Sequence, residues 1–379
     1  MNSLNSNNNI LFLTLRSDWG GAPKHIDILS KNIDSEFQIY FAAPISEPFG
    51  KEWYSIYGKQ KFFELKHRSF SLLKLWNLVL FIKRNNIRVI HAHGKGAGLY
   101  ARTIKLLLLG KVTVIFTFHG LHISQYSPLK KKVYIFYEKI ASKFTDLIIN
   151  VSNGERENCI NHKIFNPSKS KVVYNAIPFM LNPKTKLQLR EELNLSADKF
   201  IVLSIVRFSF AKNIEATIEI AKLLKDDKRF LFVLVGDGET RKEIENIVSK
   251  RALNNILFTG FKHNPLDYII ASDAYLSTSR WEGLPYSLIE ASMIGLPIVA
   301  TDVVGNNEVV QDGKNGRLFK PGDFQKAVND IVKICIDKNI AELYSKNAIK
   351  IYKDNFSVDK TTNQMRNIYS TLIKQNKSR

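Results

Sequence analysis

Cysteine is almost missing from this chain: 379 residues hold only Cys159 and Cys335. Two thiols so far apart give no disulfide framework and no cysteine zinc site, which fits a reducing cytoplasm. The Asp-x-Asp pair that often holds a divalent cation occurs nowhere. No apolar run reaches the roughly 18 residues of a membrane span. The opening, Met1 to Asn9, is polar and uncharged, so it reads as neither a signal nor a transit peptide. Helix-turn-helix, zinc-finger and RNA-recognition signatures are lacking, which argues against nucleic acid as partner. Apart from the Asn-rich start there is no repeat or low-complexity tract. Acidic residues are scarce in one half only. Residues 1–190 carry 28 Lys and Arg against 11 Asp and Glu, and the remaining 189 carry 27 against 24. The net charges of +17 and +3 point the first half toward an anionic partner, a nucleic acid or a membrane face, or else describe a solvated basic surface.

What is present is abundant apolar residue, 45% of the chain, enough for the two domains its length suggests. Asn9 to Leu15 reads as a buried strand. The turn Gly20-Gly21 follows it, and then a helix to about Ile33. A Gly-Gly pair there either lets backbone approach a ligand or makes an ordinary tight turn. Gln38 to Ala43 is a second strand, Ser71 to Arg84 a helix with a broad apolar surface, and Arg88 to Ala92 a third strand. His91 and His93 flank Ala92, and the glycine-rich run from Gly94 is expected to break the strand after His91. That run lacks the spacing of a dinucleotide fingerprint, and two histidines without a third ligand make no metal site. Val112 to Phe118 is a strand closed by His119 and Gly120, which puts His119 where α/β sheets place ligands. Ser127 to Lys143 is a helix with a basic side and an aromatic side, either solvated or partner-binding. Asp146 to Asn150 is a further strand.

Beyond Pro178, residues 179–198 are polar and read as a linker. Strands and helices then alternate over 200–206, 213–226, 230–235, 239–250, 256–259, 274–278, 286–294 and 297–300. That is the pattern of a doubly wound parallel sheet. Two clusters stand out. Val206 runs into Arg207 and Lys212, two cations on one loop, as a diphosphate requires. Glu282 and Glu290 bracket Gly283, Leu284, Pro285 and Tyr286, where a helix begins. A helix start offers an anion site, so the carboxylates could grip hydroxyls on either side of a bound phosphate. They could equally be solvated residues of a capped surface helix. Pro285 is expected in the first helical turn.

The order and spacing of Val206-Arg207-Phe208 with Lys212, Gly236-Asp237-Gly238, Phe258-Thr259-Gly260-Phe261, the Glu282–Glu290 segment and Gly295-Leu-Pro-Ile-Val-Ala300 resemble the retaining glycosyltransferases of family four. The likeness runs over roughly 200–320 and points to the bacterial surface-polysaccharide type. One departure is Ala176, where the family often has glycine after Asn. The resemblance implies the GT-B fold, α/β with two Rossmann-like doubly wound domains facing a cleft. Its parts would be an acceptor domain over 1–178, the linker 179–198, a nucleotide-sugar domain over 199–355, and a closing helix over 356–379 that crosses back to the first domain.

By the same resemblance, Arg207, Lys212, Glu282 and His119 serve catalysis. Gly20, Gly21, Gly236, Phe261, Gly283, Leu284, Pro285, Tyr286 and Glu290 bind the donor, with Glu290 on the ribose and Phe261 near the base. The expected reaction moves a sugar from a nucleotide sugar, UDP favoured, to a lipid-linked oligosaccharide or glycan with retention. It is expected to need no metal and no cofactor. The expected setting is cytoplasmic, on the inner face of the plasma membrane, with an anionic membrane surface as partner and no nucleic acid. A nucleotide-sugar epimerase of the same fold and a non-enzymatic binder of anionic polymer remain alternatives.

Overall fold

A computed structural model describes residues 8–33, 36–121, 123 and 125–377. The polar opening from Met1 to Asn7 lies outside them. The chain forms two compact units, residues 1–176 with 358–379 and residues 177–357.

The first unit runs β1 (Asn9–Thr14), α1 (Gly21–Asn32), β2 (Gln38–Ala43), α2 (Phe49–Tyr57), β3 (Phe62–Glu64), α3 (Leu72–Arg84), β4 (Val89–His93), α4 (Lys95–Leu107), β5 (Thr113–Thr117), α5 (Pro128–Ala141), β6 (Leu147–Asn150), α6 (Asn153–Asn161) and β7 (Ser170–Val172). Its strands are parallel, in the order β3-β2-β1-β4-β5-β6-β7. Every residue of β1 is buried, as a parallel strand covered on both faces should be. The order reverses between β1 and β4, which makes their carboxyl ends a switch point where ligands settle. There the register aligns Thr14 with His93 and His93 with Thr117.

The second unit runs α7 (Lys186–Glu192), β8 (Phe200–Ile205), α8 (Ile214–Leu223), β9 (Phe230–Val235), α9 (Arg241–Lys250), β10 (Ile256–Gly260), α10 (Leu266–Ala271), β11 (Ala274–Ser277), α11 (Tyr286–Ile294), β12 (Ile298–Thr301), α12 (Asn306–Val309), β13 (Gly316–Phe319), α13 (Phe324–Ile336) and α14 (Lys338–Asn355). Its parallel order is β10-β9-β8-β11-β12-β13, with the reversal between β8 and β11. The last helix, α15 (Val358–Lys377), belongs to the first unit. Its Met365, Ile368 and Tyr369 are buried in one core layer with Phe12, Phe41 and Trp53. The other layer of that unit packs Leu13, Leu78, Tyr100 and Phe116 under α3 and α4.

Two expectations give way. The stretch 179–198 is not bare linker, because α7 forms within it. A reciprocal capping box between Thr185 and Gln188 starts the helix. Leu189 and Arg190 are buried, and Arg190 Nη2 lies 2.5 Å from Asp273 Oδ2. A polar sequence with two inward residues is enough to hold this helix on its unit. Nor does the regular geometry of β4 break after His91. It continues through His93, and glycine begins only at Gly94, so both imidazoles keep to one face with ring centroids 4.1 Å apart.

Those imidazoles belong to a buried histidine group. His91 contacts Tyr369 Oη through Nδ1 at 2.6 Å and Thr117 Oγ1 through Nε2 at 2.8 Å. His25 Nδ1 is 3.1 Å from Asn175 Oδ1, and His93 Nδ1 is 2.9 Å from His119 Nε2. Burial pushes His25 down to about 4, with the Asn175 hydrogen bond opposing. It drives His91 and His93 well below the ordinary value, and neighbouring imidazoles add to the effect. All three are therefore neutral in the folded chain at pH 7.

The unfolded chain takes up protons near pH 6.5, while in the folded chain His25 stays neutral down to about 4 and His91 and His93 hold theirs off well below the ordinary value. Stability is thus fully present above pH 6.5 and falls as the pH drops below it. Each histidine contributes a slope of about 1.4 kcal/mol per pH unit, so three give about 4. Urea denaturation from pH 7.5 to 5.5, a window above the carboxylate range, should show the midpoint falling steeply on the acid side. A flat midpoint there contradicts neutral buried histidines.

Candidate active site

In the second unit the loop after β8 turns through a short 3-10 segment, Phe210–Lys212, to Asn213. Asn213 has φ 52°, a left-handed conformation that asparagine tolerates. Thr278 Oγ1 holds this turn by reaching the carbonyls of Lys212 at 3.2 Å and Asn213 at 3.0 Å. The turn aims Lys212 at the loop after β11, where Nζ donates to Glu282 Oε1 at 2.5 Å. Ser279 Oγ donates to the same oxygen at 2.6 Å. The Lys212 side chain is 24% exposed and that of Glu282 12%. An ammonium has three donors, so an oriented cation remains after Glu282 has taken one.

Arg280 staples the two loops together. Its backbone N–H donates to Ala211 O at 2.8 Å, Nη1 donates to Phe210 O at 2.5 Å, and the guanidinium lies 4.0 Å from the Phe210 ring centroid. Behind Glu282, its N–H donates to Val304 O at 3.2 Å. Gly305 sits at φ 88°, and a Cβ there would meet Gly283 O at 2.7 Å. That close approach holds the Glu282–Gly283 turn against the loop after β12.

Gly283, Leu284 and Pro285 are buried and lead into α11. Pro285 is extended, at φ −75° and ψ 121°, and the helix starts at Tyr286. So proline precedes the first turn instead of sitting in it. No side chain caps this helix, and its positive dipole end opens next to the Glu282 loop. Glu290 follows one turn in, buried. Tyr275 ties the parts together: its hydroxyl donates to Ile205 O and accepts from Ile205 N, both at 3.0 Å. Burial raises its phenol, the Ser287 hydrogen bond opposes that, and the fields of Glu290 and Glu282 add to it. Both carboxylates thus act on one buried hydroxyl.

The other expected residues of this unit are placed less centrally. Arg207 is 61% exposed and pairs with Glu239 at 3.2 Å, so it faces the loop after β9 and not Glu282. Gly236, at φ 140°, lets β9 end against the Val206 carbonyl, where a Cβ would collide; Gly238 does the same against Phe208 O. Their glycines have a packing reason before any ligand is considered. Phe261 is half-exposed just beyond β10, with its ring edge-on to His263 at 5.1 Å.

In the first unit His119 follows β5 at φ 58° and meets His93 as described. Its turn is held from below. Buried Glu155 accepts the Gly120 N–H on Oε1 and the Val151 N–H on Oε2, the latter at 2.9 Å. Gly20, at φ 167°, has an extended backbone that any residue adopts. A Cβ there would meet the flexible end of Arg16 at 3.1 Å and Pro23 Cδ at an ordinary 3.8 Å. Gly21 opens α1. Among the described residues no three His, Cys, Asp or Glu side chains gather as a metal site.

Sequence reasoning missed Ser279, Tyr275, Glu155 and His25 as supports of these loops. Only Glu155 had a local signal: Ser152 caps α6 by accepting its N–H at 3.2 Å, as the Ser-x-x-Glu spacing announces. Ser279 stands three residues before Glu282 in the same loop, His25 lies on α1, and Tyr275 reaches Ile205 from β11.

Two family descriptions match, glycosyl transferases group 1 over residues 185–351 and glycosyltransferase family 4 over 19–179. The chain is 28% identical over 322 residues to a UDP-Gal:alpha-D-GlcNAc-diphosphoundecaprenol alpha-1,3-galactosyltransferase of Escherichia coli, covering 81% of this chain and 82% of that one. It is 31% identical over 321 residues to an uncharacterized 41.2 kDa protein in the cps region of Klebsiella pneumoniae, covering 82% and 85%. Among solved structures, Anabaena HepE in complex with UDP and glucose superposes with a TM-score of 0.82 at 22% identity, covering 95% of this chain and 99% of that one. Both family descriptions are of glycosyl transferases, so the epimerase and the non-enzymatic binder give way. With its two parallel-sheet Rossmann-like units, the chain belongs to the GT-B glycosyltransferases of group 1.

Proposed function

We propose that this glycosyltransferase moves a hexosyl or N-acetylhexosaminyl group from a UDP-sugar to a lipid-linked glycan of a bacterial surface polysaccharide, with retention and without a metal. The observation that carries the reading is the Lys212–Glu282 pair beside the uncapped start of α11. Transfer breaks the bond from the anomeric carbon to a diphosphate oxygen, and negative charge grows on the diphosphate. An oriented ammonium and a helix dipole stabilise that charge where it develops. Arg207 adds a second cation on the same loop. Glu282 orients the donor sugar and Glu290 the ribose, while Gly236 and Phe261 border the nucleotide. Gly283, Leu284, Pro285 and Tyr286 form the turn that presents the helix start.

The resemblance assigns His119 and the Gly20–Gly21 turn of the first unit to the donor as well. In a front-face route the leaving phosphate oxygen takes the proton of the acceptor hydroxyl, so no separate base is needed. The named relatives support the substrates. The Escherichia coli protein is described with UDP-Gal and a diphosphoundecaprenol acceptor, and the HepE structure holds UDP and glucose. A lipid-linked acceptor places the chain on the cytoplasmic face of a membrane as a peripheral protein.

A panel of radiolabelled nucleotide sugars with polyprenyl-diphosphate acceptors tests the reading. Label should pass from a UDP-sugar into the lipid fraction with the anomeric configuration kept; turnover of UDP-sugar without acceptor, or no transfer, overturns it. Lys212→Ala and Arg207→Ala should each lower kcat about 100- to 1000-fold, the cost of losing one contact to transition-state charge. Circular dichroism should show both variants folded, and turnover within a factor of about three of the parent removes the residue from the assignment. Excess EDTA should leave the rate unchanged. Loss on chelation with rescue by magnesium would mean that a metal and not these cations carries the diphosphate.

A further inference from the structure

Helix α5 is mounted inside out. Leu129, Val133, Phe136 and Ile140 recur at spacings of four, three and four, the stripe that normally buries a helix. Here that stripe faces solvent, with Leu129 73% and Phe136 65% exposed. The buried side holds Glu138 instead, fully covered and 3.0 Å from the guanidinium of Arg102 on α4. A helix that turns a carboxylate inward and four apolar residues outward needs a partner on its outer side.

The neighbouring helix α3 repeats the feature. Leu72, Leu73, Trp76 and Leu80 are exposed, Trp76 by 58%. Both helices flank α4 on one side of the sheet. Tyr100 of α4 accepts the Ser71 N–H at the head of α3 at 2.8 Å, and Arg102 of α4 holds α5. Leu75 and Leu78 of α3, Ile104 of α4 and Ile135 of α5 share the same core layer.

Charge identifies the partner. Between Glu64 and Glu138 the sequence has 13 Lys and Arg and no Asp or Glu. Lys130, Lys132 and Lys139 stand exposed around the α5 stripe, and Lys83 and Arg84 close α3. A second copy of this surface would repel itself. Nucleic acid would leave the leucine and phenylalanine stripe unused. An interface of anionic headgroups over acyl chains takes both, with lysines among the phosphates, aromatic and aliphatic side chains at the acyl boundary, and helices lying in the plane.

We propose that α3 and α5 form a docking surface for an anionic lipid bilayer, entered by Trp76 and Phe136 and steered by the lysines of α5. The inference rests on the lipid-linked acceptor of the proposed function and supplies its membrane contact.

The test needs neither donor nor acceptor, so its failure is separate from failure of the transferase reading, which the label-transfer assay decides alone. Full-length protein is sedimented with phosphatidylcholine vesicles, with and without 30% phosphatidylglycerol, across a salt series. Binding should require the anionic lipid. Replacing Lys130, Lys132 and Lys139 together by Gln should weaken it roughly 100-fold at low salt. The double variant Trp76→Ser and Phe136→Ser, both at exposed positions, should keep the low-salt binding and lose the part that survives high salt. Equal binding to both vesicle types, no binding to either, or variants that bind like the parent would overturn the proposal. So would a parent that self-associates in sedimentation equilibrium and becomes monomeric on Phe136→Ser, because the surface would then belong to a second copy.

Discussion

The contact between Lys212 and Glu282 governs how the second unit presents charge. A lone ammonium at the end of β8 would be free to sample solvent on a four-carbon stem. Tied to a glutamate whose side chain is only 12% exposed, it has a defined position. The carboxylate is itself fixed by Ser279 on one side and by the Val304 carbonyl behind its own backbone. Everything that shapes the two loops serves that geometry. Arg280 binds one loop to the other, Thr278 holds the Lys212 turn, and glycine at 305 allows the third loop to close in. Preorganisation of this kind is what lets a fixed cation stabilise growing charge without reorganising during the reaction.

The first unit solves a different problem at its switch point. It gathers four imidazoles, with His25, His91 and His93 buried, and keeps those three neutral by desolvation. The hydrogen bond between His93 and His119 couples one buried ring to the residue that ends β5. In a neutral pair one nitrogen donates and the other accepts. His93 Nε2 is buried with no hydrogen-bond partner. A proton there would be an unmet donor, which costs more than a bare acceptor, so the proton of His93 belongs on Nδ1 and His119 accepts it on Nε2. His119 then carries its own proton on Nδ1.

Much of this was legible in the sequence, for a physical reason. Buried parallel strands are unbroken apolar runs, so 230–235 and the helix 286–294 were read with the bounds that the structure has. Lys212 and Glu282 could be chosen because breakers and charges punctuate those runs at strand ends. Their pairing could not be read, since 70 residues separate them and only the adjacency of β8 and β11 brings them together. The same holds for Tyr275, whose hydroxyl meets Ile205 across 70 residues of sequence. The polar stretch 179–198 concealed α7 because its hold depends on one leucine and on the tie from Arg190 to Asp273, which lies 83 residues away. His91 and His93 were misjudged for a local reason: glycine loosens a strand only from the position where it stands.

Helix α5 shows why an apolar pattern by itself does not say which way a helix faces. The stripe from Leu129 to Ile140 has the spacing of a core-facing helix, and pattern reading alone would bury it. What turns the helix over is Arg102. Its side chain, on α4, is only 4% exposed, and its guanidinium lies 4.2 Å from the Phe116 ring centroid. Stripped of water, that cation needs an anion at hand, and Glu138 is the acidic residue that α5 offers. Burying the stripe instead would leave Arg102 unpaired, at a cost of about 3–5 kcal/mol. With Glu138 turned inward, Leu129, Val133, Phe136 and Ile140 are left exposed together on the outer face. The ion pair therefore acts as a register mark, trading self-sufficiency of the helix for a surface that is both apolar and basic.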